Sequence, residues 1–260
     1  MSDVEEDLDE TKAPLMDHLI ELRRRLIWCA LALGLTFAGS IYFARTIFGF
    51  LVQPLLRAGQ GRLVYTNIFE AFFTEIKVAL FTAIMISFPI LALQLWQFVA
   101  PGLYAKEKRA FLPFLLATPV LFATGAALAY YVAMPLALHF LLSYQGEIAP
   151  GIQQDALPGV GNYLDFATRF MFGFGVAFLL PVLLMLMERA GLVTRDQLKR
   201  GRRYAILISF VLAAVLTPPD VLSQFLLAIP LILLYELSLI AIWFTERKRS
   251  RALAAAEKSA

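Results

Sequence analysis

The sequence predicts an all-α integral membrane protein with six transmembrane helices. Three observations carry that prediction. Of its 260 residues, 60% are hydrophobic and 17% charged, against roughly 45–50% and 25% in soluble domains. Mean hydropathy is +0.70. The charges are also segregated: residues 78–105 and 110–146 carry none, and Lys106, Glu107, Lys108 and Arg109 form an isolated charged hinge between them.

Residues 1–13 are acidic and lack apolar periodicity, which reads as a disordered tail. The acidic start also argues against a cleavable signal peptide. Leu15, Leu19, Leu22 and Leu26 then recur at three- and four-residue spacing, as in an amphipathic interfacial helix. Arg23–Arg25 precede a first uncharged run over 26–44, close to the ~20 residues that cross a ~30 Å core. The mixed stretch 45–77 holds Pro54, Gly59 and Gly61 and reads as a structured loop with short amphipathic pieces. A second span begins near Phe73 or Val78 and ends near Val99, with Pro89 as its kink site.

A third span covers about 111–142. Its three prolines, Pro113, Pro119 and Pro135, predict a bent or tilted helix. A Gly/Pro-rich loop follows over 143–161, then a fourth span over about 163–187. The last two uncharged runs, 204–219 and 221–235, are short. At ~1.5 Å per residue they reach only about 23 Å, which calls for local bilayer thinning or shielding by partner helices. The TPPD stretch at 217–220 separates them, since its paired prolines cannot continue a helix. The organisation is thus a 1–13 tail, a 14–246 membrane domain and a basic, disordered tail at 247–260.

The N-terminal segment, the hinge, the 189–203 loop and the C-terminal tail hold 18 of the 23 Lys and Arg residues. With six spans they share one side, so both termini are expected in the cytoplasm. The chain carries no GxxxxGK[ST], HExxH or GxSxG pattern, which argues against a nucleotide site or a known hydrolytic enzyme. One cysteine, Cys29, excludes an intrachain disulfide, and His18 and His139 have no Cys/His partners in sequence. No metal site and no nucleic-acid partner is expected.

Two carboxylates stand in basic surroundings, Glu21 in HLIELRRR and Glu107 in LYAKEKR. Two readings stand for each. Glu21 pairs with Arg24 or Arg25 at helical spacing and Glu107 is a solvated turn residue, or both accept positive groups of a partner at headgroup level.

The runs DHLIELRRRL (17–26), QLWQFVAPGLYAKEKR (94–109), LTPPDVLSQ (216–224) and AIPLILLYE (228–236) resemble TatC, the multispan core subunit of the twin-arginine protein translocase. The resemblance covers essentially the whole membrane domain. It implies six helices in a concave, cup-like arrangement, helices five and six short, in the bacterial inner membrane. It implies no cofactor. It also implies recognition of folded cargo through twin-arginine signal peptides, with Glu21, Glu107 and Phe98 at the receptor site. The implied partners are single-span TatA- and TatB-type subunits, the lipid bilayer and further copies of the chain. Translocation would be driven by the proton-motive force. Two planar guanidinium forks suit two carboxylates held on separate segments, a geometry lysine does not reproduce.

Thr217, Pro218, Asp220 and Gln224 match the family's turn between the short helices, where a plain turn role stands beside contact with partner subunits. Pro54 matches a family position in the first loop, where a turn role stands equally. Glu236 reads either as an interfacial residue or as a polar contact for a partner helix. One departure is expected to matter: Leu179 stands where many members carry a membrane-embedded Glu or Gln before the proline of the fourth helix. The competing function is a secondary transporter of a small solute or ion, but the second and third spans hold no ionisable group except the terminal His139, and no internal repeat is evident. An assembly factor without a substrate of its own is a third reading.

Overall fold

The structure is a computed structural model that describes the backbone at residues 2–103, 108–217 and 220–259. Side chains are described at 16, 19–98, 114–147, 149–217 and 220–247. The order is α1 (Ser2–Tyr42), α2 (Ala44–Arg57), α3 (Glu70–Leu103), α4 (Lys108–Leu128), a π-helical turn (Ala129–Ala133) and α5 (Met134–Leu142). A hairpin of β1 (Gly146–Ala149) and β2 (Ile152–Gln154) follows. Then come α6 (Val160–Ala177), α7 (Leu180–Arg189), α8 (Arg195–Arg200), α9 (Arg202–Leu216) and α10 (Val221–Ser259).

Among the described residues, five stretches are long and apolar enough to cross a membrane: Leu19–Tyr42, Glu70–Phe98, Phe114–Leu142, Val160–Arg189 and Val221–Arg247. With 15 residues, α9 supplies the sixth. Side chains such as Leu35 and Val215, three-quarters exposed, face outward from these helices, as expected where lipid is the solvent.

Several elements differ from the sequence reading. The stretch 2–13, expected as a disordered tail, forms the first turns of α1; its acidic residues suit a helix N-terminus. Arg23–Arg25 sit within this unbroken helix, and α3 likewise passes through Pro89. Pro54 lies inside α2, not at a turn. Glu236 does not end the last helix. Residues 237–245 are uncharged, so α10 continues and its apolar part reaches 27 residues. The loop after α5 contains the β1–β2 hairpin, whose strands of four and three residues are too short to leave a periodic signature.

The prolines set the breaks. Pro135 has no N–H for the carbonyl of Tyr131, and its ring crowds that carbonyl; the π-helical turn absorbs the mismatch just before it. Pro181 does the same to Ala177, where α6 stops before α7 begins.

The chain forms two compact units, one from residues 1–45 and 76–119, the other from 46–75 and 120–260. In the first, small polar groups join α1 to α3: Thr36 Oγ1 lies 2.6 Å from Ser87 Oγ, which is wholly buried. Trp96 Nε1 donates to Thr118 Oγ1 at 3.0 Å, and that hydroxyl donates to the Phe114 carbonyl.

In the second unit, Pro54 leaves the Phe50 carbonyl without its helical donor. Tyr130 supplies one, its hydroxyl donating to that carbonyl at 2.7 Å while its ring stacks on Phe50. Tyr163 OH donates to the adjacent Leu51 carbonyl at 2.6 Å. The core here centres on Phe122, Phe170 and Phe174, all essentially buried. Two glycines admit those rings: a Cβ at Gly175 would meet Phe122 Cε2 at 2.6 Å, and one at Gly125 would meet the Phe174 carbonyl at 2.5 Å.

The loops entering α3 and α6 are tied together. Val64 N–H donates to the Pro158 carbonyl and Val160 N–H to that of Val64. Glu70 accepts from Thr66 N–H, Asn67 N–H and, across 91 positions of sequence, Gly161 N–H at 2.6 Å.

Candidate functional site

The residues singled out in the sequence fall in two places. The first is in the unit built from 1–45 and 76–119. Glu21 lies on α1 because LIELRRRLIW is a continuous run of good helix formers. Its carboxylate forms an ion pair with Arg25, one turn on, so the helical-spacing reading of that pair holds. Arg25 also reaches α3, donating through Nη1 to the Gln94 carbonyl at 3.1 Å. Glu21, Arg24, Arg25, Trp28, Gln94 and Gln97 line a cavity of about 260 Å³. The Glu21 side chain remains 38% exposed and that of Arg25 17%, so the carboxylate is reachable while its partner is held.

This arrangement can bind a cationic, planar donor. Glu21 offers the charge, and Gln94 and Gln97 add amide side chains that accept and donate. Phe98 follows on α3, half-buried, but is not among the lining residues of this cavity. Glu107 lies outside the described residues, as does Pro218. Gln94 and Gln97 had no role in the sequence reading. The signal was available: they are two amides three apart in a run that is otherwise almost wholly apolar, on one face of a helix.

The second place is the α9–α10 turn. Thr217 is buried and its hydroxyl donates to the Ala213 carbonyl, closing α9. Asp220 Oδ1 accepts from Ser223 N–H at 2.7 Å, as an N-cap does for α10. Gln224 Nε2 donates to the Phe210 carbonyl on α9 at 3.1 Å. Each therefore has a turn role. Glu236 accepts from Arg202 Nη2 at 2.8 Å, joining α10 to the start of α9. Nearby, Tyr235 OH donates to the Leu198 carbonyl of α8 at 2.7 Å. Leu179 is half-buried between α6 and α7.

Residues 17–230 match the sequence profile of the family described as Sec-independent protein translocase protein (TatC). A protein of that name from Magnetococcus marinus is 44% identical over 250 residues, covering 95% of this chain and 90% of its own. Another from Desulforapulum autotrophicum is 41% identical over 254 residues, covering 96% and 92%. Two crystal structures of a twin-arginine translocase receptor, TatC, one of them in DDM, superpose with TM-scores of 0.74 and 0.76. Each is 39% identical and covers 86% of this chain and, respectively, 96% and 98% of the solved one. By sequence and by fold alike, this multi-pass membrane chain belongs to the TatC family of Sec-independent protein translocase proteins.

Proposed function

We propose that this chain is the receptor subunit of a twin-arginine export system in a bacterial inner membrane, and that Glu21 takes one guanidinium of the signal peptide's arginine pair. The observation that carries this reading is the cavity around Glu21. A half-exposed carboxylate stands there with two glutamine side chains, beside Arg24 and Arg25. Those arginines repel a general cationic peptide, so selectivity rests on the geometry of the acceptor. Glu107 takes the second guanidinium, and Phe98 packs beside the peptide. Both termini and the basic 189–203 segment face the cytoplasm, in keeping with the Lys/Arg bias.

Folded cargo then passes with the help of single-span TatA- and TatB-type subunits, which meet the α9–α10 edge at Thr217, Pro218, Asp220, Gln224 and Glu236. Several copies of the chain assemble in the complex, and the proton-motive force drives transport. The solved relatives are twin-arginine translocase receptors, which supports the same reading.

The test is site-specific photocrosslinking from position 107 to a twin-arginine signal peptide, in the wild type and in Glu21→Ala. A crosslink that depends on the peptide's arginine pair and fades in the variant is expected. An equally strong crosslink to a peptide whose arginines are replaced by glutamine would overturn the assignment.

A further inference from the structure

Past Glu236, α10 outlasts its neighbour. The Arg202–Glu236 bond marks the level where α9 begins, and α10 runs on without a charge from 237 to 245. The short α8 covers this extension. Its Leu198 packs with Leu239 and Ile242 of α10 in a buried cluster. A capping box between Thr194 and Gln197 fixes the turn that carries Arg195. The apolar stretch Val221–Arg247 has 27 residues, or about 40 Å of helix, the thickness of a bilayer with its headgroups. Its last turn therefore stands at headgroup level, where Trp243 is a residue type typical of the interface.

Several cations at this end are matched. Lys199 pairs with Asp196 at 3.6 Å, Arg202 pairs with Glu236 at 2.8 Å, and Arg203 donates to Tyr204 OH at 3.3 Å. Arg195 and Arg247 instead share a ring. Both guanidiniums lie over the indole of Trp243, at 5.9 and 5.3 Å from its centre. Such a contact attracts the cation through its charge and leaves its N–H donors in need of acceptors. Among the described residues none is in reach. Arg195 Nη1 stands 3.9 Å from Glu246 Oε2, too far for a hydrogen bond, and its Nε is buried without a partner. Arg247 has neither hydrogen bond nor ion pair there. Two guanidiniums and one carboxylate leave a single net positive charge around one ring. Ile240, Trp243, Phe244 and Arg247 recur at three- and four-residue spacing and share a face of α10. Ile240 and Phe244 are exposed on it. A guanidinium at the water end of an apolar stripe matches the order of phosphate and acyl chain in a phospholipid.

We infer that Arg195, Trp243 and Arg247 form a site for the phosphate of a glycerophospholipid whose headgroup carries no cation, as in phosphatidylglycerol. The phosphodiester monoanion accepts from both guanidiniums and balances the single net charge. The first methylenes of the lipid lie along Phe244 and Ile240. A zwitterionic headgroup would bring an ammonium beside two guanidiniums, and like charge disfavours it. The three residues belong to one compact unit, and the site does not rest on the signal-peptide reading.

The experiment is native mass spectrometry of the full chain released from nanodiscs containing equal parts of phosphatidylglycerol, phosphatidylcholine and phosphatidylethanolamine. Wild type, Arg247→Gln, Arg247→Lys, Trp243→Leu and Arg200→Gln are compared, each first checked for unchanged elution and helicity. Arg200 is the control, a cation five residues from Arg195 and on another face of α8. The wild type is expected to retain phosphatidylglycerol over phosphatidylcholine by about fivefold, as for one net cationic charge at a lipid surface. Arg247→Gln abolishes the preference, Arg247→Lys and Trp243→Leu each keep part of it, and Arg200→Gln keeps it whole. Equal retention of the glycerol and choline lipids by the wild type overturns the proposal. So does an equal loss in Arg200→Gln and Arg247→Gln, which would mean diffuse surface charge, or a photocrosslink from position 247 to an acidic segment of a partner protein with no lipid retained.

Discussion

An arginine arriving at Glu21 has to displace Arg25. Removing Arg25 should therefore help binding, whereas removing the Glu21 charge should harm it. The Glu21–Arg25 pair is four apart on α1, with the acid on the N-terminal side, the better of the two orientations. Such pairs are worth about 0.2–0.5 kcal/mol. Arg25→Gln returns that amount to the incoming guanidinium, so a twin-arginine peptide should bind about twofold tighter. Glu21→Gln removes a charged hydrogen bond worth ~1.5–3 kcal/mol. The side chain is 38% exposed, so solvent screening favours the lower end, and a loss of about tenfold is expected. The assay is fluorescence anisotropy of a labelled peptide titrated with the full chain in nanodiscs, at low and high salt, with a twin-lysine peptide as control. If Arg25→Gln weakens binding as much as Glu21→Gln does, Arg25 belongs to the binding surface, and the competition argument is refuted.

Two structural predictions are independent of the ligand. Gly125→Ala would drive its Cβ to 2.5 Å from the Phe174 carbonyl and 2.8 Å from Phe178 Cγ; overpacking of this kind costs about 1–3 kcal/mol, read as a lower thermal midpoint in detergent. Gly34→Ala on α1, with nothing within 4 Å, should leave that midpoint level or raise it. Glu70→Ala removes the acceptor shared by Thr66, Asn67 and Gly161, and faster limited proteolysis within 59–69 is expected, with Glu70→Gln intermediate.

The spans were legible because lipid imposes one rule over about twenty residues at a time, and uncharged runs report it directly. The breaks were partly legible. Pro135 stood among the prolines that predicted a bent third helix, whereas the fourth span was read as one stretch through Pro181; the π-helical form at Ala129–Ala133 depends on packing that no local pattern encodes. Pro54 looked like a turn residue, yet it sits inside α2. The donor that makes this tolerable is Tyr130, 76 positions away in sequence. Glu236 looked like a terminus because a charge interrupts an apolar run; Arg202 on the preceding helix is what lets the helix carry it through. At the site, Glu21 and its arginine neighbour were readable from spacing. Gln94 and Gln97 left a signal, two amides three apart in an apolar run, but only the α1–α3 arrangement shows which carboxylate they meet. Glu70 escaped notice because its distant partner is a backbone N–H, which leaves no trace in side-chain identity.

The two-part composition of each unit bears on how the protein is made. Residues 1–119 leave the ribosome before the rest, and they include every segment of the unit that carries Glu21. That unit can close while synthesis continues. The other unit is split differently: 46–75 emerges early, then waits for residues 120–260. The Glu70–Gly161 bond, for instance, cannot form until the chain has gone on a further 91 residues past Glu70. A nascent chain arrested shortly after residue 119 would hold every segment of the Glu21 unit together with an early loop still lacking its partners, so the Glu21 cavity can form before the Glu70–Gly161 bond does.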